Sequence, residues 1–219
     1  MTADAILLAA GKGLRMQADK NKVLLPIDGV SILRRTVKTF AESGLFERIV
    51  VVGAAEELPQ LAAECEPYAV LLAAGGELRR DSVLCGLAHC TAELVAIHDA
   101  ARPFVTQKVI ADSLQSAAEK GSGVAGVPLK DTVKVVSPGG VITHTPPRKS
   151  LVSVQTPQSF RRALISRAYA AVPDRDVTDD ASVLERYGGT VYITPGDPMN
   201  IKITTAEDLL IGQVFAREG

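Results

Sequence analysis

Near the start of the chain, a short apolar run leads into Leu7-Leu8-Ala9-Ala10-Gly11-Lys12-Gly13-Leu14-Arg15-Met16, with Lys22 a few residues further on. Small residues let a backbone come close to a ligand, and glycine allows turns that other residues resist. Successive N–H groups in such a turn cradle anionic oxygens. Arg15 adds a planar, permanently charged fork, and Lys22 is close enough in sequence to reach the same anion. The chemistry these residues suit is binding of a phosphate chain. The Walker ending GK[ST] is missing, and the dinucleotide pattern GxGxxG fails after Gly11-Lys12-Gly13. A glycine-rich turn that is only a turn is the alternative, and the two cations weigh against it.

Three later segments carry further candidates. Gly75-Gly76-Glu77-Leu78-Arg79-Arg80-Asp81-Ser82 follows an expected strand, where α/β sheets hold ligands; an ordinary helix-start loop is the alternative. His98-Asp99-Ala100-Ala101-Arg102 ends another strand. Asp99 is suited to accept hydrogen bonds from hydroxyl groups or to hold Mg²⁺ through water, and Arg102 to meet an anion. A plain Asp–Arg salt bridge competes with that reading, and His98 is expected to pack inside its strand. Lys202 stands between Ile201 and Ile203, so strand alternation points it away from their face, toward a ligand or toward solvent.

The elements that must position these residues follow from apolar periodicity. Strands are expected at 5–9, 48–52, 69–72, 94–98, 123–129 and 200–204, and helices near 56–64, 81–89, 160–171 and 205–216. Ser31 is placed to cap a helix bearing Ile32, Leu33, Val37 and Phe40, with Gly44 to stop it. Thr106 caps a helix ending near Lys120. Thr178 caps one running through Glu185, with Asp179 and Asp180 at its positive end. The rhythm breaks between about 131 and 155. There 132–136 and 141–145 flank Ser137-Pro138-Gly139-Gly140, which reads as a hairpin, either projecting as an arm or lying flat on the sheet. The pattern implies one α/β domain over 1–219, with a Rossmann-like, doubly wound, mostly parallel sheet.

Composition narrows the function classes. Hydrophobic residues make up 47% but aromatics only 4%, so aliphatic side chains must build the core. Basic residues number 24 and acidic residues 25, a net charge of -1, which argues against a nucleic-acid partner or a polybasic membrane tether. An anionic ligand must therefore meet a local cluster of cations. Cys65, Cys85 and Cys90 are odd in number and form no CxxC, which suits buried thiols in a reducing compartment. The N-terminal apolar run lacks a basic start and is too short to span a bilayer. A soluble cytoplasmic protein is expected.

The glycine-rich loop with its following lysine resembles the nucleotidylyltransferase family. The segments His98-Asp99-Ala100-Ala101-Arg102-Pro103, Val127-Pro128-Leu129-Lys130-Asp131-Thr132-Val133-Lys134, Gln155-Thr156-Pro157-Gln158, Thr178-Asp179-Asp180-Ala181-Ser182 and Asn200-Ile201-Lys202-Ile203-Thr204 resemble, in order and spacing, its cytidylyl branch acting on methylerythritol phosphate. The resemblance spans almost the whole chain. It departs at Asn21-Lys22-Val23-Leu24, where that family usually has Pro-Lys-Gln and an aromatic. The cation is kept and its neighbours differ.

The resemblance implies transfer of CMP from CTP to the polyol phosphate, with release of pyrophosphate. It implies that Arg15 and Lys22 hold the triphosphate, that Lys202 sits at the α-phosphate, and that Ala9, Ala10, Gly11, Gly13, Gly76, Glu77, Ser82 and Asp99 receive CTP. Glu77 stands where the family often has Asp. It further implies that Arg102, Thr132, Arg148, Thr156 and Thr178 contact the acceptor, Thr132 and Arg148 from an arm that reaches the neighbouring subunit of a homodimer. Mg²⁺ would be held mainly by the CTP phosphates, without direct protein ligands. A ribitol-5-phosphate cytidylyltransferase is the nearest rival. A non-catalytic nucleotide sensor and a dinucleotide-dependent oxidoreductase are more distant ones.

Overall fold

Ala-Asp-Ala-Ile-Leu-Leu has apolar side chains on both faces, so it needs packing above and below it. The computed structural model describes residues 2–10, 21–173 and 177–218, and it places Ala3–Leu8 (β1) inside a seven-stranded sheet. The remaining elements follow in order: β2 (Pro26–Ile27), β3 (Val30–Ser31), α1 (Ile32–Glu42), β4 (Arg48–Gly53), α2 (Leu58–Cys65), β5 (Leu71–Ala74), α3 (Arg79–Leu87), β6 (Leu94–Asp99), α4 (Gln107–Lys120), β7 (Ser122–Pro128), β8 (Val135–Val136), β9 (Ile142–His144), β10 (Val152–Arg161), α5 (Arg162–Ala171), α6 (Asp180–Arg186), β11 (Ile193–Pro195) and α7 (Ala206–Glu218). The sheet order is β11-β7-β10-β6-β1-β4-β5. Its pairs are parallel except the two made by β10. From β1 the chain steps outward to β4 and β5, then returns to place β6 on the other side of β1. The reversal opens a crevice at the carboxyl ends of these strands.

Alternation along β1 divides the core. Ala5 and Leu7 pack with Ile32, Leu33, Val37 and Phe40 of α1 on one face. Ile6 packs with Val83, Ile165, Tyr169 and Leu184 on the other. Gly86 lets α3 lie directly on β1, because a Cβ there would stand 2.6 Å from Ile6 Cγ2.

Two expected caps form. Ser31 Oγ accepts from the Arg34 N–H at 3.1 Å and Thr106 Oγ1 from Val109 at 3.3 Å. Gly121, at φ 96°, ends α4. The third cap is corrected. Asp179, not Thr178, begins α6: its backbone is extended and its Oδ1 accepts from Ser182 N–H at 3.0 Å. Thr178 lies one residue too early to reach that donor. The helix expected from 160 starts at Arg162, because Phe160 belongs to β10 and faces Val95 and Ser122. Nothing in the sequence pattern had suggested β10 or β11. Residues 200–204 are not a strand; Ile203 makes one backbone bond, to Ala101 O at 2.9 Å. The hairpin expected at 131–155 projects, since every residue of β8 and β9 is exposed and a flat hairpin would bury one face, but it is shorter than expected, because Val152 onward belongs to β10 and pairs with β7.

The corrected cap gives a prediction. Asp179→Ala should destabilise the fold by about 1–2 kcal/mol in urea unfolding, while Thr178→Ala should stay within about 0.5 kcal/mol of the parent. Equal losses would return the cap to Thr178.

Candidate active site

The carboxyl end of β6 is pinned from several sides. Ala100 N–H donates to Leu8 O at 3.0 Å, the Thr36 hydroxyl to Ala100 O at 2.9 Å, and Arg102 N–H to Asp99 O at 3.0 Å. Asp99 N–H donates to the Thr156 hydroxyl at 3.0 Å. The Thr156 hydroxyl also lies 3.1 Å from His98 Nδ1, and His98 Nε2 lies 3.3 Å from the Arg102 carbonyl. A carbonyl only accepts, so Nε2 carries the ring proton and Nδ1 accepts from Thr156. His98 is fully buried against Phe40, and burial lowers its pKa to about 3. As expected, it is a packed strand residue.

This frame holds the Asp99 carboxylate toward the crevice. Lys202 Nζ lies 2.6 Å from Oδ2 and Arg79 Nη2 lies 3.7 Å from Oδ1. Burial by itself would raise the Asp99 carboxyl; Arg79, and after it Lys202, outweigh burial and hold it well below the usual carboxylate range. Lys202 reaches this position because Ile203 is fully buried in the α1-side core, turning its neighbour outward. Arg79, the first residue of α3, is held by Asp180 through paired bonds of 3.0 and 2.7 Å. The Tyr169 hydroxyl donates to Asp180 Oδ1 at 2.6 Å. Asp180 raises Arg79 above its ordinary range against the opposing effect of burial. Neither Arg79 nor the buried charge of Asp180 was singled out from the sequence. The partners stand 101 positions apart, and the only signal was the charge-rich Arg79-Arg80-Asp81 run.

The crevice encloses about 690 Å³. Of the expected site residues, Ala10, Lys22, Gly76, Glu77, Ser82, Asp99 and Lys202 line it, together with Arg79. Ala9 lies just behind, buried, with its N–H on Val52 O at 2.7 Å. Ser82 donates to Leu78 O at 3.3 Å, which leaves its oxygen as an acceptor. Gly75 leaves room for that hydroxyl, since a Cβ would come within 2.6 Å of Ser82 Oγ and 3.3 Å of Ala10 Cβ. Gly11, Gly13 and Arg15 lie outside the described residues.

The expected acceptor residues sit elsewhere. Arg102 Nη1 donates to Asn200 O at 2.8 Å, steadying the segment that bears Lys202, while its buried Nε has no hydrogen-bond partner among the described residues. Thr156 is buried, with its hydroxyl engaged between Asp99 and His98. Thr178 is exposed. Thr132 and Arg148 are exposed on the arm, where Arg148 Nη1 donates to Lys130 O at 2.7 Å.

Ala10 just past β1, Gly75 and Gly76 after β5, two lysines and a charged carboxylate come together at a topological switch point, the arrangement of an α/β nucleotidyltransferase. The profile of the 2-C-methyl-D-erythritol 4-phosphate cytidylyltransferase family matches residues 3–218. A protein of that name from Dehalococcoides mccartyi is 40% identical over 220 residues, covering 98% of this chain and 96% of the relative. One from Bacillus thuringiensis is 42% identical over 217 residues, 96% of each chain. The crystal structure of 2-C-methyl-D-erythritol 4-phosphate cytidylyltransferase from Thermus thermophilus matches with a TM-score of 0.84 at 28% identity, covering 99% of this chain and 100% of that one. The chain belongs to the 2-C-methyl-D-erythritol 4-phosphate cytidylyltransferase family.

The neutral His98 predicts a pH dependence. Its folded pKa of about 3 lies below the unfolded value of about 6.5, so between the two the unfolded chain binds the extra proton. The contribution to stability is complete above the unfolded value and is lost as pH falls toward the folded one. Between pH 7 and pH 5 this group alone should remove about 2 kcal/mol. Urea unfolding at both pH values should show that extra loss in the parent and its absence in His98→Asn. The same pH slope in both proteins would refute it.

Proposed function

We propose that the chain transfers CMP from CTP to 2-C-methyl-D-erythritol 4-phosphate, giving 4-diphosphocytidyl-2-C-methyl-D-erythritol and pyrophosphate. The observation that carries this reading is Lys202 held 2.6 Å from Asp99 in a crevice also lined by Lys22 and Arg79, in a chain of this family. A phosphate oxygen of the acceptor attacks the α-phosphorus of CTP. The bond to the bridging oxygen breaks, and pyrophosphate leaves with the electron pair. The nucleophile is already an anion at neutral pH, so the difficulty is charge rather than proton removal, and positioned cations are what the step requires.

Ala10, Gly76, Glu77 and Ser82 would receive the cytosine, with backbone groups and the Ser82 oxygen facing the base edge. Lys22, with Arg15, would hold the triphosphate and Lys202 the α-phosphate. Asp99 keeps Lys202 in place and faces the ribose. Mg²⁺ entering with the nucleotide would spread the triphosphate charge. The Asp99 carboxylate suits it through water, since its oxygens already face Lys202 and Arg79.

Arg102 and Thr178 would meet the acceptor from the same subunit. Thr132 and Arg148 would do so from the arm of a second copy in a homodimer, a reading supported by the bare Val135, Val136, Val141 and Ile142 of the projecting hairpin. No described helix is long and apolar enough to cross a membrane. The three free cysteines suit a cytoplasmic setting.

Pyrophosphate release with CTP and Mg²⁺ tests the proposal, with methylerythritol phosphate and ribitol 5-phosphate offered separately. Release with the former alone is expected. Release with the latter alone would keep the chemistry and replace the acceptor, and silence with both would overturn the activity.

A further inference from the structure

Lysine is a compact charge on a flexible four-carbon stem, so where its ammonium acts depends on how firmly its backbone is held. Lys22 opens a single 3₁₀ turn, Lys22–Leu24, a form with little stability of its own. Something outside the turn must fix it.

The fastening is Asn21, whose side chain is buried and makes three bonds. Its Oδ1 accepts from Val23 N–H at 3.2 Å, capping the turn. Its Nδ2 donates to Ala9 O at 2.6 Å and to Glu57 Oε2 at 2.8 Å. Each contact is a fixed point. Ala9 follows β1 and is itself bonded to Val52. Glu57 closes the 3₁₀ turn Ala55–Glu57, in which Ala55 and Glu56 line the crevice. Buried Val23 locks the turn from its apolar side. One amide thus ties together the end of β1, the lysine turn and the segment after β4.

We propose that Asn21 is a positioning residue for Lys22, fixing the turn from which the lysine faces the nucleotide phosphates. The inference rests on reading Lys22 as a triphosphate contact. The chemistry needs an amide, because one end must accept and the other must donate twice. Aspartate keeps the shape but turns lone pairs toward the Ala9 carbonyl and the Glu57 carboxylate. Alanine leaves the Ala9 carbonyl without this donor.

The test is a double-mutant cycle on kcat/KM for CTP, with thermal unfolding followed for each protein. Asn21→Ala should lower kcat/KM about tenfold in the parent, but change it by less than about twofold when Lys22 is already alanine, although its cost in Tm persists in both backgrounds. Asn21→Asp, matched in shape, should repeat the pattern and serves if the alanine variant folds poorly. Equal losses with and without Lys22 would show a merely structural residue and overturn the inference, as would full activity of Asn21→Ala. Full activity of Lys22→Ala would instead remove the triphosphate reading of Lys22, and this inference with it.

Discussion

A carboxylate kept charged at the edge of a core must be paired, because desolvating an unpaired charge costs more than the fold can spare. Asp99 is that carboxylate, and its pairing organises the molecule. Lys202 arrives from a segment before the last helix, and Arg79 from the first residue of α3. Arg79 engages Asp180 at the start of α6, and Asp180 engages Tyr169 of α5. Four separated parts of the chain meet at one point at the end of β6. The demand is greatest at Asp180, which is fully buried: losing the cation paired with a buried carboxylate costs about 3–5 kcal/mol, whereas Asp99 has two cations to share its charge.

The same constraint explains why the site suits phosphate chemistry. Lys202 and Arg79 are held by carboxylates, so they are already in place when a triphosphate enters and little reorganisation accompanies the reaction. The crevice lies where the strand order reverses, and the small residues Ala10, Gly75 and Gly76 on its wall let a ligand approach the backbone closely. Gly75, Ser82 and Ala10 are packed so closely that a Cβ at the glycine would displace the Ser82 hydroxyl. Beneath them, the fixed tautomer of His98 holds Thr156, and Thr156 holds the backbone of Asp99.

What could be read from the sequence was what repeats locally. The apolar run of β1, the caps Ser31 and Thr106, the stop near Gly44 and the outward turn of Lys202 each follow from a few adjacent residues. β10 did not, because its centre is Gln155-Thr156-Pro157-Gln158. These polar residues are buried through side-chain bonds to Asp197, Asn200, His98 and Asp179, so the strand has no apolar alternation to show. The 200–204 segment has alternation without a ladder, since a single backbone–backbone bond, from Ile203 to Ala101, fastens it to the Asp99 turn. The Arg79–Asp180 pair was hidden because its partners stand 101 positions apart and Asp180 had a local role at hand, as a charge at the start of a helix. Asn21 looked like a changed neighbour of Lys22, and only the fold brings Ala9 and Glu57 to its amide.

The rate of the chemical step in a Lys202→Ala variant, measured in a single turnover beside its affinity for CTP, bears most directly on the role given to the cations around Asp99. Transfer should slow by about a hundredfold or more, while CTP affinity changes by less than about tenfold, because the lysine acts chiefly on charge that develops in the transition state. An unchanged rate, or a loss confined to affinity, would contradict it.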